Sequence, residues 1–379
     1  MKVLFCSPYL KNAEAIKGGI NTWGRYIMEY YKQYGKKQVC LIPISLDRSS
    51  YTATSSLFRR IRDGYSDQMK SVKEAIHWME LERPNVIHIC TSAGLGLIRD
   101  YLLVRAAKKR GVKTIVHLHF GRIPTLAKQR NWEWKFLSRV LRMCDVPVVM
   151  NRPSEKVLIE EGFNNVTYLP NPLGMSALEA IHNAEGRYER IPRRLLYCGH
   201  VSKTKGVIEL VDGCSRIPNI ELRIVGKYTS EIKEEMQAMA KNRKHDTSWL
   251  NFIGEVSHED VIHEFYQADM FVFPSYSEGF PNVILEAMAC GCPIVSSDVG
   301  AIPEMLDIDG DACGICFNPQ SADEVFRTVS SIIDNNELKS TFALKAKARV
   351  NEFYAIPKVW KQMVTIWNNA STYNSNGVK

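Results

Sequence analysis

One stretch, Phe271–Glu304, limits the possible folds of this chain more than any other part of the sequence. An apolar run that ends at Pro274 has the character of a buried strand, and apolar residues at helical spacing follow Pro281. Because proline is favoured at the first position of a helix, we predict that a helix begins at Pro281. Gly291 is expected to end this helix, and Pro293 to open the next strand. The stretch therefore predicts a strand–loop–helix–strand unit.

The start of the predicted helix has the chemistry of an anion-binding site. The first helical turn has unpaired N–H groups and a partial positive charge, and a phosphate fits there. Gly279 has no side chain that would keep a ligand away from this backbone, and Glu278 and Glu286 bracket it. Helical side chains lean toward the N-terminus, so Glu286 is able to reach over the first turn. Since a carboxylate repels phosphate, Glu286 is better suited to accept hydrogen bonds from two sugar hydroxyls.

The pattern Glu-Gly-Phe-Pro-Asn at 278–282, with a second glutamate at 286 and then Ala-Met-Ala-Cys-Gly-Cys-Pro-Ile-Val, resembles the retaining glycosyltransferases of family four. The likeness continues to Glu304. The alternative interpretation of this stretch is an ordinary buried βαβ unit with surface glutamates. The resemblance implies transfer of a hexosyl group from a nucleotide-diphosphate sugar to an acceptor hydroxyl. It implies that Glu278 orients the sugar. It also implies that the donor contacts Gly279, Phe280, Pro281, Asn282, Val283 and Glu286.

A second motif, residues 198–206, follows a predicted strand and resembles the family's Gly-Arg-Leu-x-x-x-Lys-Gly motif. In that family the arginine and the lysine neutralise the diphosphate, so that no metal is needed. Lys205 matches the lysine, and the resemblance gives it a catalytic role. His200 replaces the arginine. A neutral imidazole offers one donor without charge and a protonated one offers two; a structural loop histidine is the alternative.

Two weaker features lie in the first half of the chain. Gly18 and Gly19 stand between the first strand and a helix, where glycine lets a ligand approach the backbone, although a plain loop fits equally well. They match the family's N-terminal glycine loop, which approaches the donor sugar and diphosphate. His119 ends a predicted strand at the point where the family places a histidine close to the donor sugar. His117, on the same strand face, is the competing candidate.

Strands and helices alternate in both halves of the chain, which predicts an α/β protein with parallel sheets. As the family resemblance implies, we expect the GT-B architecture, two doubly wound Rossmann-like domains facing a central cleft. A turn-rich break near 170 divides an acceptor domain, 1–170, from a nucleotide-sugar donor domain, 171–355. A C-terminal helix at about 356–379 is expected to complete the first domain. Residues 47–66 are predicted to be a loop.

The composition indicates the cellular location of the protein and the state of its cysteines. The 379 residues are 45% hydrophobic, and no apolar run has the length of a signal peptide or a membrane span. We therefore expect a cytoplasmic protein with reduced cysteines. Cys290 with Cys292, and Cys313 with Cys316, leave a zinc site as an alternative, but their apolar surroundings favour buried thiols. No cofactor and no metal are expected, and the nucleotide sugar is a substrate.

The basic residues are unevenly distributed. The chain carries a net charge of +8, and residues 99–142 contain twelve basic and two acidic residues, with Trp132, Trp134 and Phe136 among them. Indole rings and long basic side chains suit an anionic membrane surface. Many members of the family extend lipid-linked glycans in cell-surface polysaccharide biosynthesis, so we expect peripheral binding to the inner face of the membrane. A solvated basic face with core tryptophans is the alternative.

Two other functions stay open at this point. Nucleotide-sugar epimerases and phosphorylases share the fold, and a fold does not determine function. The positive charge also suggests a nucleic-acid binder, but the sequence has none of the usual nucleic-acid-binding modules, so no nucleic-acid partner is expected.

Overall fold

A computed structural model describes residues 1–8, 19–46, 57–243 and 246–372 of the chain. The chain divides into two compact units: unit 1 comprises Met1–Gly174 and Ile356–Lys379, and unit 2 comprises Met175–Ala355. Each unit contains a six-stranded sheet, and every strand pair in these two sheets is parallel. With helices between the strands, each unit has the doubly wound Rossmann-like architecture. The predicted fold class is confirmed.

Unit 1 alternates strands and helices, and its last helix comes from the C-terminal part of the chain. Its elements are β1 (Lys2–Ser7), α1 (Gly19–Gln33), β2 (Cys40–Ser45), α2 (Leu57–Glu82), β3 (Val86–Thr91), α3 (Gly96–Lys109), β4 (Lys113–Leu118), α4 (Ile123–Gln129), α5 (Trp132–Met143), β5 (Val146–Val149), α6 (Arg152–Glu160), β6 (Thr167–Tyr168) and α15 (Ile356–Thr372).

The sheet of unit 1 has the order β2-β1-β3-β4-β5-β6. The direction of winding reverses between β1 and β3, and in such sheets ligands bind beside the carboxyl ends of the strands at this switch point. All six residues of β3 are buried, because helices cover both faces of a parallel sheet.

Helix α15 is tied to the core of unit 1 by two tryptophans. Trp360 and Trp367 are buried, and their indole N–H groups donate to Gln38 Oε1 and His88 Nδ1, each over 2.9 Å. A buried indole N–H needs such a partner. The C-terminal segment therefore packs as part of the fold of unit 1.

Unit 2 has the same alternation. Its elements are α7 (Met175–Ala184), β7 (Ile191–Cys198), α8 (Val207–Ser215), β8 (Glu221–Val225), α9 (Ser230–Arg243), β9 (Leu250–Gly254), α10 (His258–Gln267), β10 (Ala268–Phe273), α11 (Asn282–Ala289), β11 (Ile294–Ser297), α12 (Ile302–Leu306), a small hairpin of β12 (Asp307–Ile308) and β13 (Asp311–Ala312), β14 (Ile315–Phe317), α13 (Ala322–Ile332) and α14 (Asn336–Arg349).

The sheet of unit 2 has the order β14-β11-β10-β7-β8-β9. Starting from β7, the chain winds outward through β8 and β9, then returns to the other side of β7 with β10. The switch point therefore lies between β7 and β10. The loops that leave these two strands start side by side at the carboxyl edge of the sheet.

Two predictions of local structure were wrong. Residues 47–66 were predicted to be a loop, but helix α2 begins at Leu57; residues 47–56 lie outside the described part of the chain. The first two turns of α2 contain three arginines, an aspartate and a glycine, and this polar, basic composition favoured a loop although Leu57, Phe58 and Ile61 have helical spacing. Pro281 was predicted to be the first helical residue, but it is the N-cap, and α11 begins at Asn282. Its φ of −75° fits either position, and its ψ of 119° makes it extended.

No helix within the described ranges is both long enough and apolar enough to span a lipid bilayer.

Candidate active site

Two loops meet at the switch point of unit 2. Residues 199–206 follow β7, and residues 274–281 follow β10. Tyr276 N–H donates to the carbonyl oxygen of Thr204 over 3.0 Å. Gly206 has a φ of 69°, and a Cβ at this position would lie 2.1 Å from the carbonyl oxygen of Pro274. Only glycine allows this conformation and this close approach, so the two loops are fixed against each other.

The contact between these loops brings together two residues singled out from the sequence. Lys205 Nζ donates to Glu278 Oε1, although the two residues are 73 positions apart. Their side chains are 27% and 13% exposed, so the ion pair is partly shielded from water. An ammonium group has three N–H donors, and this contact uses one of them. Lys205 therefore keeps donors for a second, anionic partner.

His200 lies on the same loop as Lys205, with its side chain exposed. Its backbone carbonyl accepts a hydrogen bond from the Tyr197 hydroxyl over 2.8 Å. Gly226 lies so close to Gly199 that a Cβ on Gly226 would be 1.8 Å from the Gly199 carbonyl oxygen. The loop is thus anchored through its backbone, and the imidazole of His200 stays at the surface.

The loop before α11 is held from a third direction. Gly279 accepts a hydrogen bond from Ala301 N–H over 3.0 Å, and Gly300 packs so closely that a Cβ there would lie 2.3 Å from the Glu278 carbonyl oxygen. Phe280 is buried against the ring of Tyr354. These contacts fix the approach to α11, whose N-cap residue, Pro281, makes no side-chain capping hydrogen bond.

The remaining predicted donor-site residues lie at the start of α11. Asn282 and Val283 form its first turn and are half-buried. Glu286, one turn further on, is only 8% exposed. Its Oε1 lies 3.2 Å from Nε2 of His258, the first residue of α10. Sequence reasoning missed His258, because Ser257 and the acidic residues after it indicate only a helix start and nothing in the sequence relates it to Glu286.

The predicted residues of unit 1 have different surroundings. Gly18 lies outside the described residues, and Gly19 begins α1 with open space where a Cβ would be. His119 directly follows β4, and its ring contacts those of His117 and Trp23, with centroid distances of 3.9 and 4.5 Å. Burial, together with the nearby His88, lowers the pKa of His119 to about 3, so the ring is neutral at physiological pH.

Three buried residues of unit 1, His88, Cys90 and His117, have side-chain atoms within 4.8 Å of one another, a spacing that suits a metal ion. The hydrogen bonds favour another arrangement. Trp367 is only a donor, so His88 Nδ1 must accept; burial also lowers the pKa of His88 to about 3 and keeps it neutral. Its proton is then on Nε2, which donates to His117 Nδ1 over 3.2 Å. These ring nitrogens are committed to a hydrogen-bonded chain, and burial raises the pKa of the Cys90 thiol, which disfavours the thiolate a metal requires.

The four cysteines considered as zinc ligands all have free thiols, and three of them, Cys290, Cys292 and Cys313, are buried. Burial raises the pKa of Cys292 and Cys313 to about 11 and that of Cys316 to about 12. None belongs to a metal-sized group of ligands in the described part of the chain. They are small apolar residues of the core.

The basic segment of unit 1, residues 99–142, exposes fewer aromatic and unpaired basic side chains than its sequence suggests. Trp134 is buried and Phe136 is half-buried, so Trp132, at 59% exposed, is the only one of the three predicted aromatic residues at the surface. Five basic residues of the segment have acidic partners: Arg99, Lys108, Arg110, Arg122 and Arg130.

One face of α5 retains exposed positive charge. Trp132, Lys135, Arg139 and Arg142 are all exposed, and their spacing of three, four and three residues places them on one side of the helix. We call these four residues the α5 basic face.

Comparison with known proteins agrees with this architecture. The family model described as "Glycosyl transferases group 1" matches residues 179–349, which is nearly all of unit 2. Unit 2 is a group 1 glycosyl transferase domain. The match includes both loops of the candidate site and helix α11, and it confirms the family predicted from the sequence.

Two proteins similar to this chain are named as glycosyltransferases of the O-antigen or of lipopolysaccharide. The chain is 30% identical over 131 residues to the O-antigen chain mannosyltransferase B of Escherichia coli, which is 35% of this chain and 30% of that relative. The lipopolysaccharide outer core galactosyltransferase WaaB superimposes with a TM-score of 0.71 and 18% identity, covering 98% of this chain and 99% of WaaB. Anabaena HepE in complex with UDP-glucose superimposes with a TM-score of 0.66 and 15% identity, and the match covers 97% of this chain and 100% of HepE. At such low identity, these structures show a shared GT-B fold.

The buried histidines of unit 1 predict how its stability depends on pH. Burial lowers the pKa values of His88, His117 and His119, so below about pH 6.5 the unfolded chain takes up protons that the folded chain does not. The free energy of unfolding should therefore fall between pH 6.5 and 5, approaching about 1.4 kcal/mol per pH unit for each histidine at the lower end. Urea titrations at pH 7, 6 and 5 measure this slope.

A matched pair of variants tests the cause of that slope. His119→Asn should reduce it by about one proton, whereas His77→Asn, at an exposed position of α2, should leave it unchanged. Equal slopes in the His119→Asn variant and the wild type would show that His119 titrates normally in the folded state.

Proposed function

We propose that this chain is a retaining, metal-independent glycosyltransferase that moves a sugar from a nucleotide-diphosphate donor, a UDP- or GDP-sugar, to a hydroxyl of a lipid-linked glycan during cell-surface polysaccharide synthesis. The observation that carries the proposal is the contact between Lys205 and Glu278 at the switch point of a group 1 domain, beside the start of α11. The relatives support the substrate classes, since one is named an O-antigen chain mannosyltransferase and another binds UDP-glucose.

In this proposal, the diphosphate lies between the β7 loop and the start of α11. Lys205 donates its remaining N–H groups to the leaving diphosphate, with His200 beside it at the loop surface. Positive groups that meet charge developing in the transition state accelerate a reaction, because they bind the transition state better than the ground state. The N-terminus of α11 adds its partial positive charge to the same region.

The carboxylates and His119 bind the sugar parts of the donor. Glu286 accepts hydrogen bonds from the ribose hydroxyls, and Glu278 orients the transferred sugar while holding Lys205 in place. The backbone of Gly279, Phe280, Pro281, Asn282 and Val283 contacts the diphosphate or sugar. Because burial keeps His119 neutral, it supports the sugar as a hydrogen-bonding group without charge.

Removing the charged donor-site groups should impair transfer and leave the fold intact. Lys205→Ala should lower turnover by about 100-fold or more, because it removes charge stabilisation of the leaving diphosphate. Glu286→Ala should act mainly through a higher KM for the donor. Both are measured with a panel of nucleotide sugars. Lys203→Ala is the control, since Lys203 lies on the same loop but is exposed and paired with Glu235. Near-normal turnover in Lys205→Ala, together with an unchanged donor KM in Glu286→Ala, would refute the site assignment.

Activity should survive treatment with EDTA. In the proposed site Lys205 and the helix N-terminus neutralise the diphosphate, so no divalent cation is required. Transfer assayed before and after chelation, with manganese and magnesium added back, tests this. Loss of activity that either metal restores would contradict the mechanism.

The lipid-linked acceptor places the enzyme at the inner face of an anionic membrane, and the α5 basic face is the surface we propose for this contact. Each basic side chain within a Debye length of an anionic bilayer contributes about 1 kcal/mol. The exposed indole of Trp132 suits the headgroup region. The paired basic residues of the segment have carboxylates beside them and contribute less.

Liposome co-sedimentation tests this surface. Binding should require anionic lipid and decrease with salt, because screening weakens attraction to the headgroups. Changing Lys135, Arg139 and Arg142 to glutamate should abolish it. The control makes the same charge change at Lys241, Lys358 and Lys361, which are exposed on α9 and α15. Equal loss of binding in both triple variants would show a response to net charge alone, and equal binding to neutral vesicles would refute an electrostatic contact.

A further inference from the structure

The carboxylate of Glu286 has an unusual environment for a nearly buried acid. Its residue is 8% exposed, yet no lysine or arginine of the described chain lies within ion-pair distance of it. His258 Nε2, at 3.2 Å from Oε1, is its partner, and Oε2 accepts no hydrogen bond within the described residues. A largely buried carboxylate needs such partners, because leaving it unpaired is costly.

The fold determines this contact. β9 ends at Gly254, and α10 begins at His258, so the imidazole lies at the carboxyl edge of the sheet. Glu286 is in α11, which follows β10, and its side chain leans toward the start of that helix. Ser257 fixes the start of α10 by accepting a hydrogen bond from Asp260 N–H. Two helix starts that belong to different strands thus bring one imidazole to one carboxylate.

Because an ionised carboxylate only accepts hydrogen bonds, His258 must donate through Nε2–H to Oε1. This occupies one of about four lone-pair sites and fixes the carboxylate plane, which leaves Oε2 and one site of Oε1 for other donors. Two acceptors on one rigid carboxylate match the two neighbouring hydroxyls of a ribose. The His258 side chain is 42% exposed, so it reaches the nearly buried carboxylate from the solvent side.

We propose that His258 is a positioning residue of the donor site, which orients the Glu286 carboxylate to bind the two hydroxyls of the nucleotide ribose. This rests on the proposed function, because it takes Glu286 to be the ribose-binding carboxylate. His258 acts on the affinity for the nucleotide and leaves the chemical step unchanged, since the ribose is remote from the transferred sugar.

Calorimetric titration with UDP, and with GDP in parallel, tests the proposal in the full-length protein. His258→Ala should weaken binding of the nucleotide about tenfold, the usual effect of losing a hydrogen bond to a charged group. His258→Gln, which keeps an N–H donor at a similar position, should restore most of the affinity. His263→Ala is the control, because His263 is on the same helix and contacts Asp260 and Tyr188 instead. Wild-type affinity in the His258→Ala variant would overturn the proposal.

A double-mutant cycle separates this inference from the proposed function. If His258 acts through Glu286, then His258→Ala should have no further effect in a Glu286→Ala background. Additive losses would show that His258 contacts the nucleotide by itself, which would overturn a positioning role. Unchanged affinity in Glu286→Ala alone would instead refute the ribose assignment of the proposed function. In turnover assays, His258→Ala should raise the donor KM at nearly constant kcat, and a fall in kcat alone would contradict it.

Discussion

The candidate site depends on the parallel pairing of β7 and β10. In this pairing Leu195 and Leu196 lie opposite Met270 and Phe271, although some 70 residues of chain separate the strands. Since both strands run the same way, their following loops leave from one edge and must pack against each other. The close approach of Gly206 to Pro274 and the ion pair of Lys205 with Glu278 follow from that geometry. The crossover through β8 and β9 returns the chain to β7, and it is this return that brings the two loops into contact.

Unit 1 is subject to a different constraint, the burial of three histidines that form no ion pair with an acid among the described residues. Burial keeps His88 neutral, and the Trp367 indole then dictates which ring nitrogen of His88 carries the proton. Because His88 Nε2 then donates to His117 Nδ1, this hydrogen bond also dictates which ring nitrogen of His117 carries its proton. His119 lies against this chain, and its charge is set by the same burial. A helix from the C-terminus therefore determines the protonation pattern next to a residue of the proposed sugar site.

The sequence predicted the elements whose signals are local. The strand–loop–helix pattern around Pro281 and the alternation of strands and helices were sufficient for the fold class. The helix start at Leu57 was missed because the polar and basic residues around it outweighed the short apolar set of Leu57, Phe58 and Ile61. His258 and the buried state of Trp134 were missed for another reason. Whether a side chain faces a carboxylate, a core or water depends on packing between helices, which spacing along one helix does not encode.

The pairing of Lys205 with Glu278 also bears on how the proposed donor, which is negatively charged, would bind beside two carboxylates. Alone, Glu278 and Glu286 would repel a diphosphate. In the structure the charge of Glu278 is balanced by Lys205, and His258 donates to Glu286, so each carboxylate has one hydrogen-bond donor directed at it. Neither donor is fully used by its carboxylate, because the ammonium has further N–H groups and the imidazole has a second nitrogen. The arrangement holds both carboxylates next to the start of α11, where we propose that the diphosphate binds, without leaving either acid as an unopposed negative charge.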